Sequence, residues 1–135
     1  MPSIGGLHHV ALKSKQPGTL AGFYREALGL EETKRHVDAS GLRSVWLRLG
    51  DALLMIERSD TSGIIPEPFA DPPGLHLLAY RIEPGDRESW VTRLAERGCT
   101  PHAETAYSVY FTDPEGHRFA LSHWPVARSS EPTAP

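Results

Sequence analysis

The residues of this chain able to do chemistry at neutral pH are seven histidines, one cysteine and a scatter of carboxylates. Their spacing removes several sites at once. No two histidines stand four apart, and no HExxH segment occurs, so a helical zinc site has no basis. Cys99 is alone, which excludes an internal disulfide and any multi-cysteine metal centre. It follows Gly98 in a turn, and no serine sits in an elbow motif, so a covalent nucleophile has no support. His36, His102 and His123 lack partners at ligand spacing. His117 closes the turn sequence Asp113-Pro114-Glu115-Gly116-His117, where a structural role is expected. Most of the histidines are therefore expected at the surface or in packing. A lone imidazole with a pKa near about 6.5 could still shuttle a proton without a metal.

The elements that must position these groups repeat. Leu7 to Lys13 alternates as a strand. Pro17 to Leu28 carries Leu20, Ala21, Phe23, Tyr24, Ala27 and Leu28 along one helical face, with Pro17 suited to the first turn and Gly29 to the stop. Strands are predicted over Leu30 to Val37, Leu42 to Leu49 and Ala52 to Glu57, the last two joined at Gly50-Asp51. Residues 58–73, with four prolines, read as a linker. The order then recurs: a strand over Leu75 to Ile82 and a helix capped by Asp86 and running to Arg97. That helix should bury Trp90, Val91, Leu94 and Ala95 and stop at Gly98. Strands are predicted near Thr100 to Glu104, Ala106 to Thr112 and His117 to His123. Two βαβββ modules follow from this duplication. The fold class is α+β, a curved mixed sheet around a cavity. Module one is expected over 5–58, a linker over 59–73 and module two over 74–124, all within one domain, 1–125. A disordered tail is expected over 126–135.

The bulk numbers narrow the partners. The 135 residues suit one domain, with 39% hydrophobic and 23% charged residues. A formal charge of −3 offers no basic stripe for nucleic acid. No apolar run approaches the roughly 20 residues that span a bilayer, so no membrane partner is expected. The first residues lack a secretory layout, so a cytoplasmic protein is expected.

The segments LHHVALKS, LAGFYREALGLE and YFTDPEGHRFALSHW together resemble the vicinal oxygen chelate superfamily, which includes glyoxalase I, extradiol dioxygenases, fosfomycin-resistance transferases and bleomycin-resistance proteins. The resemblance covers about residues 5 to 124. It implies paired βαβββ modules, homodimers in many members and, in the metal-dependent ones, a divalent ion held by inward side chains of the first and last strands of each module.

Carried over one position at a time, that ligand set is degenerate here. The first-strand histidine falls on His9. The other three positions hold Met55, Leu77 and Ala120. Leucine and alanine cannot donate, and a thioether is a poor ligand for hard or borderline cations. His76 precedes Leu77 and is expected to face the helix layer, hydrogen-bonded near the helix. His8 is likewise expected opposite His9. Glu57 shares the face of Met55 and could reach the cavity.

The expected lining is His9, Ala11, Met55, Glu57, Leu77, Ala79, Tyr110 and Ala120, apolar enough for a flat or aromatic ligand. Trp46 and Tyr107 could add stacking surface, although ordinary strand packing explains them too. The side of Arg48 is left open, and Arg81 could meet an anion if inward. The expected function is binding of a small flat or aromatic molecule, as in bleomycin-resistance proteins, with His9 as the only candidate acid–base group. No cofactor is expected. The alternative is a metal-dependent lyase or dioxygenase with a rearranged ligand set that includes His9 and Glu57.

Overall fold

The computed structural model describes residues 2–60 and 75–125. Most of the expected linker and the whole expected tail therefore lie outside the described residues. The chain divides into two compact units, one of residues 1–70 with 113–117 and one of residues 71–112 with 118–135.

In the first unit the order is β1 (His9–Ser14), α1 (Pro17–Glu26), β2 (Glu32–Asp38), β3 (Gly41–Leu49) and β4 (Ala52–Arg58). The sheet runs β1-β4-β3-β2, with β1 parallel to β4 and the other pairs antiparallel. Alternation along each strand sends one set of side chains to each face. Leu12 and Ser14 of β1, Val45 and Leu47 of β3, and Leu54 and Ile56 of β4 are buried. So are Leu20, Ala21, Tyr24, Ala27 and Leu28 of α1 and its C-terminal turn, and α1 packs against β1, β3 and β4. Each such leucine or isoleucine contributes roughly 1.5–3 kcal/mol by leaving water.

The helix begins where it was expected, at Pro17, whose missing N–H costs nothing in the first turn. It ends two residues before Leu28, at Glu26. Gly29 then takes φ +72°, and the Leu30 N–H returns to the Tyr24 carbonyl at 3.1 Å.

The second unit repeats the order as β5 (Leu78–Arg81), α2 (Arg87–Glu96), β6 (Ala103–Glu104), β7 (Ser108–Thr112) and β8 (Arg118–Ser122), with a 3₁₀ turn at Pro84–Asp86 before α2. Its sheet runs β5-β8-β7-β6, the same connectivity, again with first and last strands parallel. Val109, Phe111, Phe119 and Leu121 form its apolar face, and the Phe111 and Phe119 rings stack 5.2 Å apart. The fold is thus α+β, two βαβββ modules with matching topology.

Three expectations about this module are corrected. The first strand begins at Leu78, leaving His76 and Leu77 outside it. Asp86 makes no side-chain cap, because the 3₁₀ turn places it in helical conformation. Of the expected stripe of α2, Leu94 is buried, Trp90 and Val91 are half-buried and Ala95 is exposed. Gly98, at φ +77°, stops α2 as Gly29 stops α1. Among the described residues no helix is long and apolar enough to cross a membrane.

Candidate functional site

With α1 covering one face of the first sheet, the other face carries the odd residues of β1 and β4, Lys34 and His36 of β2, and Ser44, Trp46 and Arg48 of β3. Strand pairing sorts these into three cross-strand rungs. The first joins His9, Leu53 and Arg48; the second joins Ala11, Met55, Trp46 and Lys34; the third joins Lys13, Glu57, Ser44 and His36. Successive rungs are about 7 Å apart and neighbouring strands about 4.8 Å.

The middle rung is small, then flexible, then flat. Trp46 is half-buried, with the Lys34 ammonium 5.3 Å from its ring centroid and the His36 ring edge-on at 5.1 Å. On the third rung the His36 imidazole Nδ1 meets the Ser44 hydroxyl at 2.9 Å, and Lys13 lies 4.0 Å from Glu57. Arg48, whose side the sequence left open, shares the face of Trp46 and is exposed.

The second sheet builds a matching rung. Ala79, Ala120, Tyr110 and Ala103 are paired in sequence across all four strands. Rung for rung, Ala79 answers Ala11, Ala120 answers Met55 and Tyr110 answers Trp46. Five of the eight residues expected in the lining therefore fall on the two middle rungs. Ala120 is almost wholly buried and Tyr110 half-buried. Leu77 stands just before β5, half-buried, and Glu57 lies one rung beyond Met55.

His9, at the start of β1, is exposed, and its Nδ1 lies 3.0 Å from the Nδ1 of His8. The expected opposition of these two side chains is corrected. His8 precedes the strand, so strict alternation does not govern it, and the two rings meet edge-on at 5.2 Å. His76 is corrected for the same reason. Lying ahead of β5, it is exposed and accepts a hydrogen bond from Arg118 at 3.1 Å instead of packing toward a helix.

The sequence reading missed a polar cluster in the first unit. The Asp113 carboxylate is fully buried. It accepts from the Tyr24 hydroxyl at 2.8 Å and from the backbone N–H groups of Glu115 and His117 at 2.9 and 3.0 Å. The His117 ring completes the set at 2.8 Å. Glu115 in turn accepts from the Ser14 hydroxyl and, at 2.9 Å, from the Lys15 N–H. The Asp113 bond and charge raise the His117 pKa above its ordinary value, and burial opposes them. A bond to the Lys13 backbone adds to the rise. Bonded to Asp113 through its ring, His117 has a structural role in this turn. The turn motif DPEGH signalled an Asp accepting from its own backbone. Nothing signalled Tyr24, which its helix presents as one more member of an apolar stripe.

A divalent metal at the inherited positions does not fit these residues. His9 is the one donor there beside a thioether and two hydrocarbon side chains. The alternative pair fails on distance. His9 is level with Leu53, and Glu57 lies four residues further along β4. Their Cα atoms are about 14 Å apart at ordinary strand spacing, beyond the joint reach of the two side chains on one ion. Among the described residues no group of three or more His, Cys, Asp or Glu could hold a metal.

A family model described as a glyoxalase-like domain matches residues 9–122. No curated protein matches. Among solved structures, a glyoxalase/dioxygenase from Nostoc punctiforme is similar at 23% identity over 93% of this chain and 99% of that one, with a TM-score of 0.76. A mutant of the fosfomycin resistance protein FosX from Listeria monocytogenes, complexed with Mn(II) and 1S,2S-dihydroxypropylphosphonic acid, is similar at 20% identity over 92% and 96%, with a TM-score of 0.74. An integron cassette protein from the mobile metagenome of the Halifax Harbour sewage outfall follows at 22%, 90%, 100% and 0.67. At these identities the structures speak for the fold alone. The family match spans almost all of both modules, and the chain belongs to the glyoxalase-like domain family of the vicinal oxygen chelate superfamily.

Proposed function

We propose that this protein binds a small flat or aromatic molecule at a largely apolar surface formed by the middle rung of either sheet, with the metal position of its superfamily degenerate. The observation that carries the reading is the composition of those rungs. Where metal-dependent relatives need donors, this chain places Met55 and Ala120. Beside them stand Ala11 and Ala79, whose small side chains leave room, and the rings of Trp46 and Tyr110, which offer flat apolar surface. His9, exposed at the rim of the first sheet, is the one retained ligand position and the candidate acid–base group.

The test is a thermal-shift screen of flat aromatic compounds. A ligand that binds only the folded state raises its stability by RT ln(1 + [L]/Kd), about 2.7 kcal/mol at a hundredfold excess over Kd. Several members of the panel should raise Tm in proportion to ring area. A panel in which none does so overturns the proposal.

A further inference from the structure

We infer that the open face of the first sheet selects an aromatic anion, with its ring on the Ala11–Met55–Trp46 rung and its carboxylate over Leu53 between Arg48 and His9. This rests on the aromatic-binding reading above and specifies the class of ligand.

Charge on this face is one-sided. The three rungs carry Lys13, Lys34 and Arg48 against a single carboxylate, Glu57. Lys13 stands beside Glu57 and balances it. Among the described residues no carboxylate lies within ion-pair distance of Arg48 or Lys34. Lys34 is instead placed over the Trp46 ring, which gives its charge a partner of another kind. Among the described residues, Arg48 is the cation of these rungs with neither carboxylate nor aromatic partner.

Position then separates Arg48 from an ordinary solvated side chain. It is the direct cross-strand partner of Leu53, and so is His9 from the opposite side. The apolar Leu53 is thus flanked by two nitrogen donors on strands about 4.8 Å away on each side. An arginine fork presents paired N–H groups that match a carboxylate. His9 has its Nδ1 engaged with His8, which leaves Nε2 as its outward nitrogen. When His8 donates in that contact, the Nε2 of His9 carries the proton and can donate to the same anion.

The aromatic half of the ligand follows from the next rung, one step of about 7 Å away. Trp46 offers a flat ring and Met55 a polarizable, adjustable side chain, while exposed Ala11 projects only a methyl group. Charge at one rung and flat apolar surface at the next describe an aryl carboxylate better than a neutral ring or an aliphatic acid.

The test compares 2-naphthoate with 2-naphthamide by isothermal titration calorimetry. The two have the same ring and nearly the same shape and differ in charge. The carboxylate should bind about tenfold more tightly or better, the gain of one charge-assisted contact. In Arg48→Gln, an exposed position where Tm should not move, that gap should close while the amide affinity stays unchanged. Trp46→Leu should weaken both ligands together. Equal binding of the two compounds, or a gap that survives Arg48→Gln, overturns the inference and leaves aromatic binding standing. Binding of neither compound overturns both.

Discussion

The hydroxyl of Tyr24, in the last turn of α1, donates at 2.8 Å to the fully buried carboxylate of Asp113, a residue 89 positions further along the chain. Helix α1 is read most simply as an apolar element whose tyrosine adds area to the core. The structure gives that tyrosine a second task. A buried carboxylate is tolerated only when its lone pairs are met, and Asp113 meets them with two backbone N–H groups, one imidazole and this hydroxyl.

Removing the hydroxyl should therefore cost more than an average hydrogen bond. Tyr24→Phe keeps the ring and its burial but leaves one oxygen of a buried carboxylate short of a donor. A loss of about 1.5–3 kcal/mol in unfolding free energy is expected, with the denaturant m-value unchanged. Tyr110→Phe, on a half-buried ring at the open face, should cost under about 1 kcal/mol. Equal costs in the two variants would show that the Asp113 contact contributes nothing special.

The same cluster makes stability depend on pH. Asp113, chiefly by hydrogen bonding, holds the His117 pKa above its ordinary value in the folded protein. A raised folded-state pKa means that the imidazolium favours folding. That contribution is complete below the unfolded value of about 6.5 and is lost as pH climbs through the higher folded-state value. Tm should accordingly fall as pH rises above about 6.5, beyond whatever the other groups contribute. In His117→Gln, which keeps a donor without titrating, this part of the fall should disappear. Asp113 and Glu115 are the acidic groups whose charges act on the ring, and the comparison is confined to neutral and alkaline pH.

Metal content separates the proposed function from its enzymatic alternative. Purified protein should hold substoichiometric Zn, Mn, Ni, Fe and Mg by elemental analysis, and added metal should leave Tm almost unmoved. The reason is the donor set: Met55, Leu77 and Ala120 give an ion nothing to pair with His9. One tightly bound ion per chain, lost in His9→Ala, would overturn the binding-protein reading in favour of a rearranged metal site.

How much of this was legible in the sequence follows from the range of each signal. Local patterns carried the fold. Alternation marked the strands, the helical stripe marked α1, and Gly29 and Gly98 stopped both helices, since positive φ is a local demand. Parity along a strand also carried part of the candidate lining, because Ala11, Met55, Ala79, Tyr110 and Ala120 need only regular pairing to share rungs. It failed where no strand existed. His8 and His76 were given faces by counting, yet both lie just ahead of their strands, where alternation has not begun. Cross-strand neighbours were beyond reach altogether. That Arg48 and His9 flank Leu53, or that Lys34 covers Trp46, depends on register, which a bulge between Glu32 and Lys34 shifts in a way no pattern announces. Tyr24 and Asp113 show the same limit at longer range.

Register also yields the sharpest contrast between stability and function, because neighbours on one strand face opposite ways. Leu54 is fully buried against the helix layer, whereas Met55 is half-buried on the open face. Leu54→Ala opens a cavity in a packed core and should cost about 2–5 kcal/mol. Met55→Ala removes a side chain of similar size from a half-buried position on the open face, and should cost under about 1 kcal/mol. Ligand affinity should behave in the opposite sense. Met55 forms the floor beneath the proposed aromatic ring, so its truncation should weaken naphthoate binding several-fold or redirect the site to larger rings. Leu54→Ala should leave affinity intact wherever the protein remains folded. Urea titration and calorimetry on the two variants check both halves. A Met55→Ala variant that loses stability as Leu54→Ala does, with ligand affinity untouched, would place Met55 in the core and remove the middle rung from the site.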